Sequence, residues 1–119
     1  MPLPTGVVAI TVTGTYKNAI SGAGESGFIE FVPNLKSLND TTDDVIYTVP
    51  PFVATVAQGT GTFSIQIPVT DNTTFYPSTF SYTIIEKVTN MGNRTTKGVK
   101  VPASLGSTVA LSDLIAPYI

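Results

Sequence analysis

The sequence predicts an all-β fold, an antiparallel immunoglobulin-like or transthyretin-like β-sandwich of about seven strands that ends in an irregular C-terminal tail. Three observations carry this prediction. Thr and Val are frequent and aromatic residues make up 9% of the chain, a composition that suits a pleated surface, where stiff χ1 angles cost little. Several segments alternate apolar and polar residues with a period of two, the mark of a strand with one buried face. No stretch holds a helical period over three turns, and Gly, Pro and Asn gather between the alternating runs.

Residues 7–16 form the first run, with Val8, Ile10, Val12, Gly14 and Tyr16 on one side and Ala9, Thr11, Thr13 and Thr15 on the other. Residues 17–24 make a loose turn whose Gly and Asn tolerate positive φ. Residues 27–32 are the second strand, with Ile29 and Phe31 opposed to Phe28, Glu30 and Val32. Bulky groups on both faces imply that one face meets a partner, and Pro33-Asn34 ends the strand. Residues 35–44 read as a polar surface loop. The runs 45–49 and 52–57 flank Pro50-Pro51, which leaves two short strands or one bent edge strand. Gln58-Gly59-Thr60-Gly61 is a hairpin turn into residues 62–69, the cleanest alternation, with Phe63, Ile65, Ile67 and Val69 inward. Residues 70–77 are a connection, and the pattern resumes over 80–88. Asn90-Met91-Gly92-Asn93 then turns the chain back into 95–101. In the tail, Ser112 or Asp113 can open a single helical turn that Pro117 stops.

Long polar connections alternating with tight hairpins favour two sheets over a small barrel. A chain of 119 residues has room for one core. The expected organisation is an N-terminal arm (1–6), a β-sandwich (7–103) and a C-terminal docking tail (104–119), whose apolar ending needs a cover.

Charged residues are 12% of the chain, about half the usual ~25%, which suits a protein packed in a lattice or held at a polar interface. The net charge is -2, and Lys87, Arg94, Lys97 and Lys100 are too few and too spread to neutralise a phosphate backbone, so no nucleic-acid partner is expected. Cys is absent, which removes disulfides and allows folding in a reducing cytoplasm. Met1-Pro2-Leu3-Pro4-Thr5-Gly6 has no basic, apolar character of a secretory signal, and no window nears the ~20 apolar residues of a membrane span. No membrane partner is expected. The sequons at Asn39, Asn72 and Asn93 would matter only in a secretory pathway.

Chemistry is limited by missing parts. Without His or Cys the Ser-His-acid and Cys-His arrangements and the usual zinc sites are impossible. No two of Glu25, Glu30, Asp40, Asp43, Asp44, Asp71 and Glu86 share a motif that would make a catalytic carboxylate pair. The expectation is therefore a protein that is not an enzyme and uses no cofactor. Asp40, Asp43, Asp44 and Asp71 lie on two loops that could offer oxygen ligands to calcium at one end of a sandwich, but their spacing lacks the EF-hand form and suits solvated turns. Glu30 and Glu86 each sit in register with apolar neighbours, which places them at a sheet end or pairs them with Lys87, Lys97 or Lys100 across an edge.

Among the aromatics, Tyr16 and Tyr82 follow the alternation and belong to the core or its edge. Phe75 and Tyr76 fall in a loop and are the expected exposed pair, anchors for another protein or, beside Asp71 and Asn72, a platform for a glycan. The protein-interface candidates are Phe28, Phe75, Tyr76, Leu114, Ile115, Tyr118 and Ile119.

Three stretches taken together resemble a β-sandwich domain of actinobacteriophage virion proteins, found at the N-terminus of minor tail or fibre-like proteins and in capsid decoration proteins. They are Val12-Thr13-Gly14-Thr15-Tyr16 with Gly27-Phe28-Ile29-Glu30-Phe31-Val32-Pro33; Gly61-Thr62-Phe63-Ser64-Ile65-Gln66-Ile67-Pro68-Val69-Thr70-Asp71; and Val101-Pro102-Ala103-Ser104-Leu105-Gly106-Ser107-Thr108-Val109-Ala110-Leu111-Ser112-Asp113-Leu114. The resemblance spans nearly the whole chain and offers no catalytic residues. It implies a virion structural protein, made in the host cytoplasm and docked on the particle. Since tail members continue into a stem or receptor-binding part, the expected role is capsid decoration first and tail or fibre accessory second. The major capsid protein or another virion protein is the expected partner, with self-association, as trimers at local three-fold positions. A carbohydrate-binding module used in host adsorption is the rival.

Overall fold

The computed structural model describes residues 3, 4 and 6–119. It is a β-sandwich of ten strands: β1 (Ala9–Thr15), β2 (Gly27–Pro33), β3 (Ser37–Asp40), β4 (Val45–Thr48), β5 (Phe52–Val56), β6 (Thr62–Pro68), β7 (Phe75–Tyr76), β8 (Tyr82–Val88), β9 (Gly92–Val99) and β10 (Thr108–Ala110), followed by a short helix α1 (Leu111–Ile115). A front sheet of order β10-β1-β6 packs on a back sheet of order β5-β2-β8-β9, and a small end sheet, β4-β3-β7, extends one end. All pairings are antiparallel except β1 with β10, which is parallel.

The inward faces follow the alternation read from the sequence. Ile10 and Val12 of β1 and Phe63 and Ile67 of β6 meet Ile29 and Phe31 of β2 and Tyr82, Ile84 and Val88 of β8 in one continuous core. Gly14 stands opposite Phe63 in the β1–β6 register, and a Cβ there would lie 2.4 Å from the Phe63 ring. The missing side chain is the space that the ring occupies, stacked in turn on Tyr16 with centroids 6.1 Å apart.

The β8–β9 hairpin turns as expected, with Asn90 and Gly92 at positive φ. A bulge interrupts it, since Ile84 faces Thr96 while Tyr82 faces Val99, so two residues of β9 oppose one of β8. An unbroken strand would send Thr96 and Val99 to opposite faces. The extra residue, with Gly98 at φ 70°, lets both point inward, and both are buried.

Three expectations change in detail, and the open choice at Pro50-Pro51 falls to two short strands. The presumed loop 35–44 contains β3, whose Leu38 and Asp40 are buried. Asp40 can turn inward because its carboxylate is satisfied locally, accepting from the backbone N–H groups of Thr42 (3.0 Å) and Asp43 (3.1 Å). Pro50-Pro51 separates two strands that join different sheets, β4 the end sheet and β5 the back sheet. The turn at 58–61 closes on itself, with Gly61 N–H bonded to Ala57 O and Ala57 N–H to Thr62 O, yet it joins the two sheets instead of making a hairpin. Beyond it, β6 pairs over its whole length with β1. Last, α1 starts after Ala110 with no side-chain cap, so neither Ser112 nor Asp113 opens it, and Pro117 sits in a 3-10 turn, Ala116–Tyr118.

Residues 104–119 close the second seam of the sandwich. β10 takes the free edge of β1, with Thr11 paired to Thr108 and Val12 to Val109. α1 then lies against β1 and β9, burying Leu111, Leu114 and Ile115. The chain's own body covers Leu111, Leu114 and Ile115 of the tail, while Tyr118 and Ile119 at its end stay exposed. Of the N-terminal arm, Met1, Pro2 and Thr5 lie outside the described residues; Leu3 N–H reaches Gln66 Oε1 of β6 at 3.4 Å.

Candidate functional site

Among the described residues, most of the large exposed apolar side chains lie on three surfaces, while Val8, Ile20 and Met91 stand apart on loops and turns. On the end sheet, the register sets Ile46 of β4 and Tyr76 of β7 on either side of Asn39 of β3, one row across three strands. Ile46 is 69% exposed and Tyr76 75%. Tyr47 and Phe75, one residue away in each strand, point the other way and pack on each other with ring centroids 5.7 Å apart. The second surface is the outer face of the back sheet, where Phe28 is 52% exposed and neighbouring Val53 is 55% exposed. There Lys87 Nζ donates to Glu30 Oε1 at 2.7 Å. The third is a shallow groove at the C-terminal end, lined by Lys100, Pro102, Leu105, Val109 and Tyr118, with exposed Ile119 following in the chain.

Of the seven interface candidates, four are exposed: Phe28, Tyr76, Tyr118 and Ile119. Tyr118 is also tied down, its hydroxyl accepting from the backbone N–H of Lys100 at 3.1 Å. The other three are corrected by burial within the chain. Phe75 is only 4% exposed because β7 pairs with β3 and turns this ring under the end sheet, so the two-aromatic platform of Phe75 and Tyr76 does not form. Leu114 and Ile115 are buried because α1 fills the seam between β1 and β9. Sequence reasoning missed Ile46 and Val53. A period of two was present in both short runs, but without a known inward residue it could not say which side faced out.

A small cleft of about 80 Å³ is lined by Gly14, Thr15, Tyr16, Phe63, Glu86, Arg94 and residues of α1. Glu86 of β8 is 1% exposed. Its Oε1 accepts from Arg94 Nε at 2.8 Å, and its Oε2 accepts from Arg94 Nη2 at 3.1 Å and from the Tyr16 hydroxyl at 2.5 Å. Glu86 was expected at a sheet end or paired with a lysine; it is buried within β8, and Arg94 is its partner because the hairpin sets it directly across from Glu86. Burial, then the bond to Glu86 and the charge of Glu86, push the Tyr16 phenol well above its usual range, while Arg94 opposes this weakly. The Glu86 bond in turn raises Arg94. Both carboxylate oxygens are engaged, so the group ties β8, β9 and the end of β1 together.

Glu30 takes Lys87, one of the lysines expected for it. The Asp residues considered for calcium do not converge. Asp40 caps its own turn, Asp71 accepts from Ala103 N–H at 2.9 Å, and among the described residues no group of three or more acids forms a metal site. No described helix is long and apolar enough to cross a membrane. Comparison with family models, with curated proteins and with solved structures returned no match.

Proposed function

We propose that this chain is a structural protein of a bacteriophage virion, a capsid decoration protein that docks on the particle and stabilises it without catalysing a reaction. The observation that carries the reading is the exposed row Ile46, Asn39 and Tyr76 on the end sheet. An aromatic and an aliphatic group flanking an amide make a compact docking tip of the kind that anchors protein interfaces. Low charge and a Thr-rich exterior suit close packing on a protein lattice. The resemblance of three sequence stretches to actinobacteriophage virion proteins is what favours a phage particle as that lattice.

In this reading the chain is made in the host cytoplasm and ends in the virion, on the major capsid protein or another virion protein. Binding only to the assembled shell stabilises it by mass action. The second reading, a tail or fibre accessory, is favoured by the elongated shape, 52 × 27 × 23 Å. A glycan-binding role keeps Tyr76 beside Asn39 but lacks the second aromatic.

The test is binding of the purified protein to particles that lack it, with heads and tails separated and copies per particle counted. Decoration requires many copies on heads and greater resistance of the heads to heat. Ile46→Asp and Tyr76→Ser should each weaken head binding by about tenfold or more, as loss of an anchor does. A few copies confined to tails, or binding to host glycan alone, would overturn the proposal.

A further inference from the structure

We infer that the outer face of the back sheet is self-complementary and stacks on the same face of a second copy of this chain about a twofold axis. The inference rests on the register of that sheet and is independent of the virion reading. Pairing lays two rows across the four strands: Val53, Glu30, Ile85 and Thr95 in one, Thr55, Phe28, Lys87 and Asn93 in the other. A solvated sheet face is ordinarily polar. Here Phe28 and Val53 are both more than half exposed, and Ile85 is only partly covered.

The charges decide the occupant. These rows hold one acid and one base, Glu30 and Lys87, already bonded to each other. A strongly charged partner gains little from two rows with no net charge, and an apolar cover would take both ions out of water without new partners. A second copy turned by a twofold sets its Lys87 near Glu30 of the first and its Glu30 near Lys87. Each ion then keeps an opposite neighbour while the apolar groups close around the pair.

The strands β2 and β8 are seven residues long. At about 3.3 Å per residue and about 4.8 Å between strands, the face is roughly 23 by 19 Å. That is small beside the ~800 Å² per partner of a stable interface. Pairing is therefore weak in dilute solution and favoured where copies are held side by side.

Sedimentation of the full chain from micromolar to millimolar concentration tests this. Wild type should pass from monomer to dimer. Glu30→Lys leaves two positive charges on the face and Lys87→Glu two negative ones; each variant alone should self-associate about tenfold more weakly or worse. An equimolar mixture of the two should form a heterodimer. Mixing cannot restore the pair within either chain, so its recovery reports contact between copies. Phe28→Asp should abolish the dimer and Ile46→Asp, on the end sheet, should leave it, with near-ultraviolet circular dichroism showing every variant folded. A wild-type chain that stays monomeric, a trimer, a mixture that fails to associate, or association lost in Ile46→Asp but kept in Phe28→Asp would overturn the proposal. A monomeric wild type whose particle binding is lost in Phe28→Asp would assign the face to a virion protein instead.

Discussion

Glu86 shows how one buried charge is accommodated by its neighbours. Its carboxylate lies on the inward face of β8 among apolar side chains, where an unpaired charge would cost several kcal/mol. Arg94 offers a two-point contact from the adjacent strand, and Tyr16 donates from the far sheet. The two partners are not equivalent, since Arg94 supplies the countercharge from a side chain that is itself 45% exposed. Removing it leaves the carboxylate buried with a single donor. Arg94→Ala is therefore expected to destabilise the fold by about 3 kcal/mol, whereas Tyr16→Phe, which removes one hydrogen bond and no charge, should cost about 1 to 2 kcal/mol. Urea unfolding of the two variants checks the order, and a harmless Arg94→Ala would refute the account. Nothing in the sequence alone points to Arg94 over the three nearby lysines, because the choice follows from hairpin register and turn length.

At the scale of elements, the strands with one strongly apolar face were legible: β1, β2, β6 and β8 appear where alternation places them. Those missed, β3, β7 and β10, are two to four residues long and carry at most two large apolar groups each. Their existence depends on tertiary partners, β3 and β7 pairing with each other and β10 with β1, so local pattern holds little of the information. The C-terminal segment makes the same point from the other side. An apolar ending was readable, but its cover is the chain's own seam between β1 and β9. If this segment is part of the core, Leu111→Ala and Ile115→Ala should each cost about 2 to 5 kcal/mol. They should also lower the midpoint of a single transition without producing an earlier one. A separate low-stability transition, with the main one unmoved, would mean that residues 104–119 are an appendage.

The whole sandwich is held across its two layers by apolar packing and by two tyrosine hydroxyls set at opposite ends. Tyr16, just beyond β1, donates to Glu86 of the back sheet, and Tyr82 of the back sheet donates to the Pro68 carbonyl of β6 at 2.7 Å. Desolvation holds the Tyr82 phenol far above its ordinary value of 10.0, and desolvation with the Glu86 contact does the same for Tyr16. Both groups keep their protons in the fold at a pH where the unfolded chain releases them. The unfolded state thus binds fewer protons above pH 10, and stability must fall as pH rises. The contribution is fully present below the unfolded pKa and is lost on the alkaline side. Tyr82 has no exposed surface, so its share should approach about 1.4 kcal/mol per pH unit above 10. Tyr16 is partly exposed and contributes less. The informative quantity is the difference in slope between wild type and variant, in which contributions from groups other than Tyr82 cancel. Urea midpoints measured from neutral pH to pH 11 should show Tyr82→Phe less stable at neutral pH by about 1 kcal/mol, the value of the lost bond to Pro68, yet less sensitive to alkali, so that the two curves converge. Parallel curves would mean that the Tyr82 proton is not held by the fold, and the cross-sheet tie would then rest on packing alone.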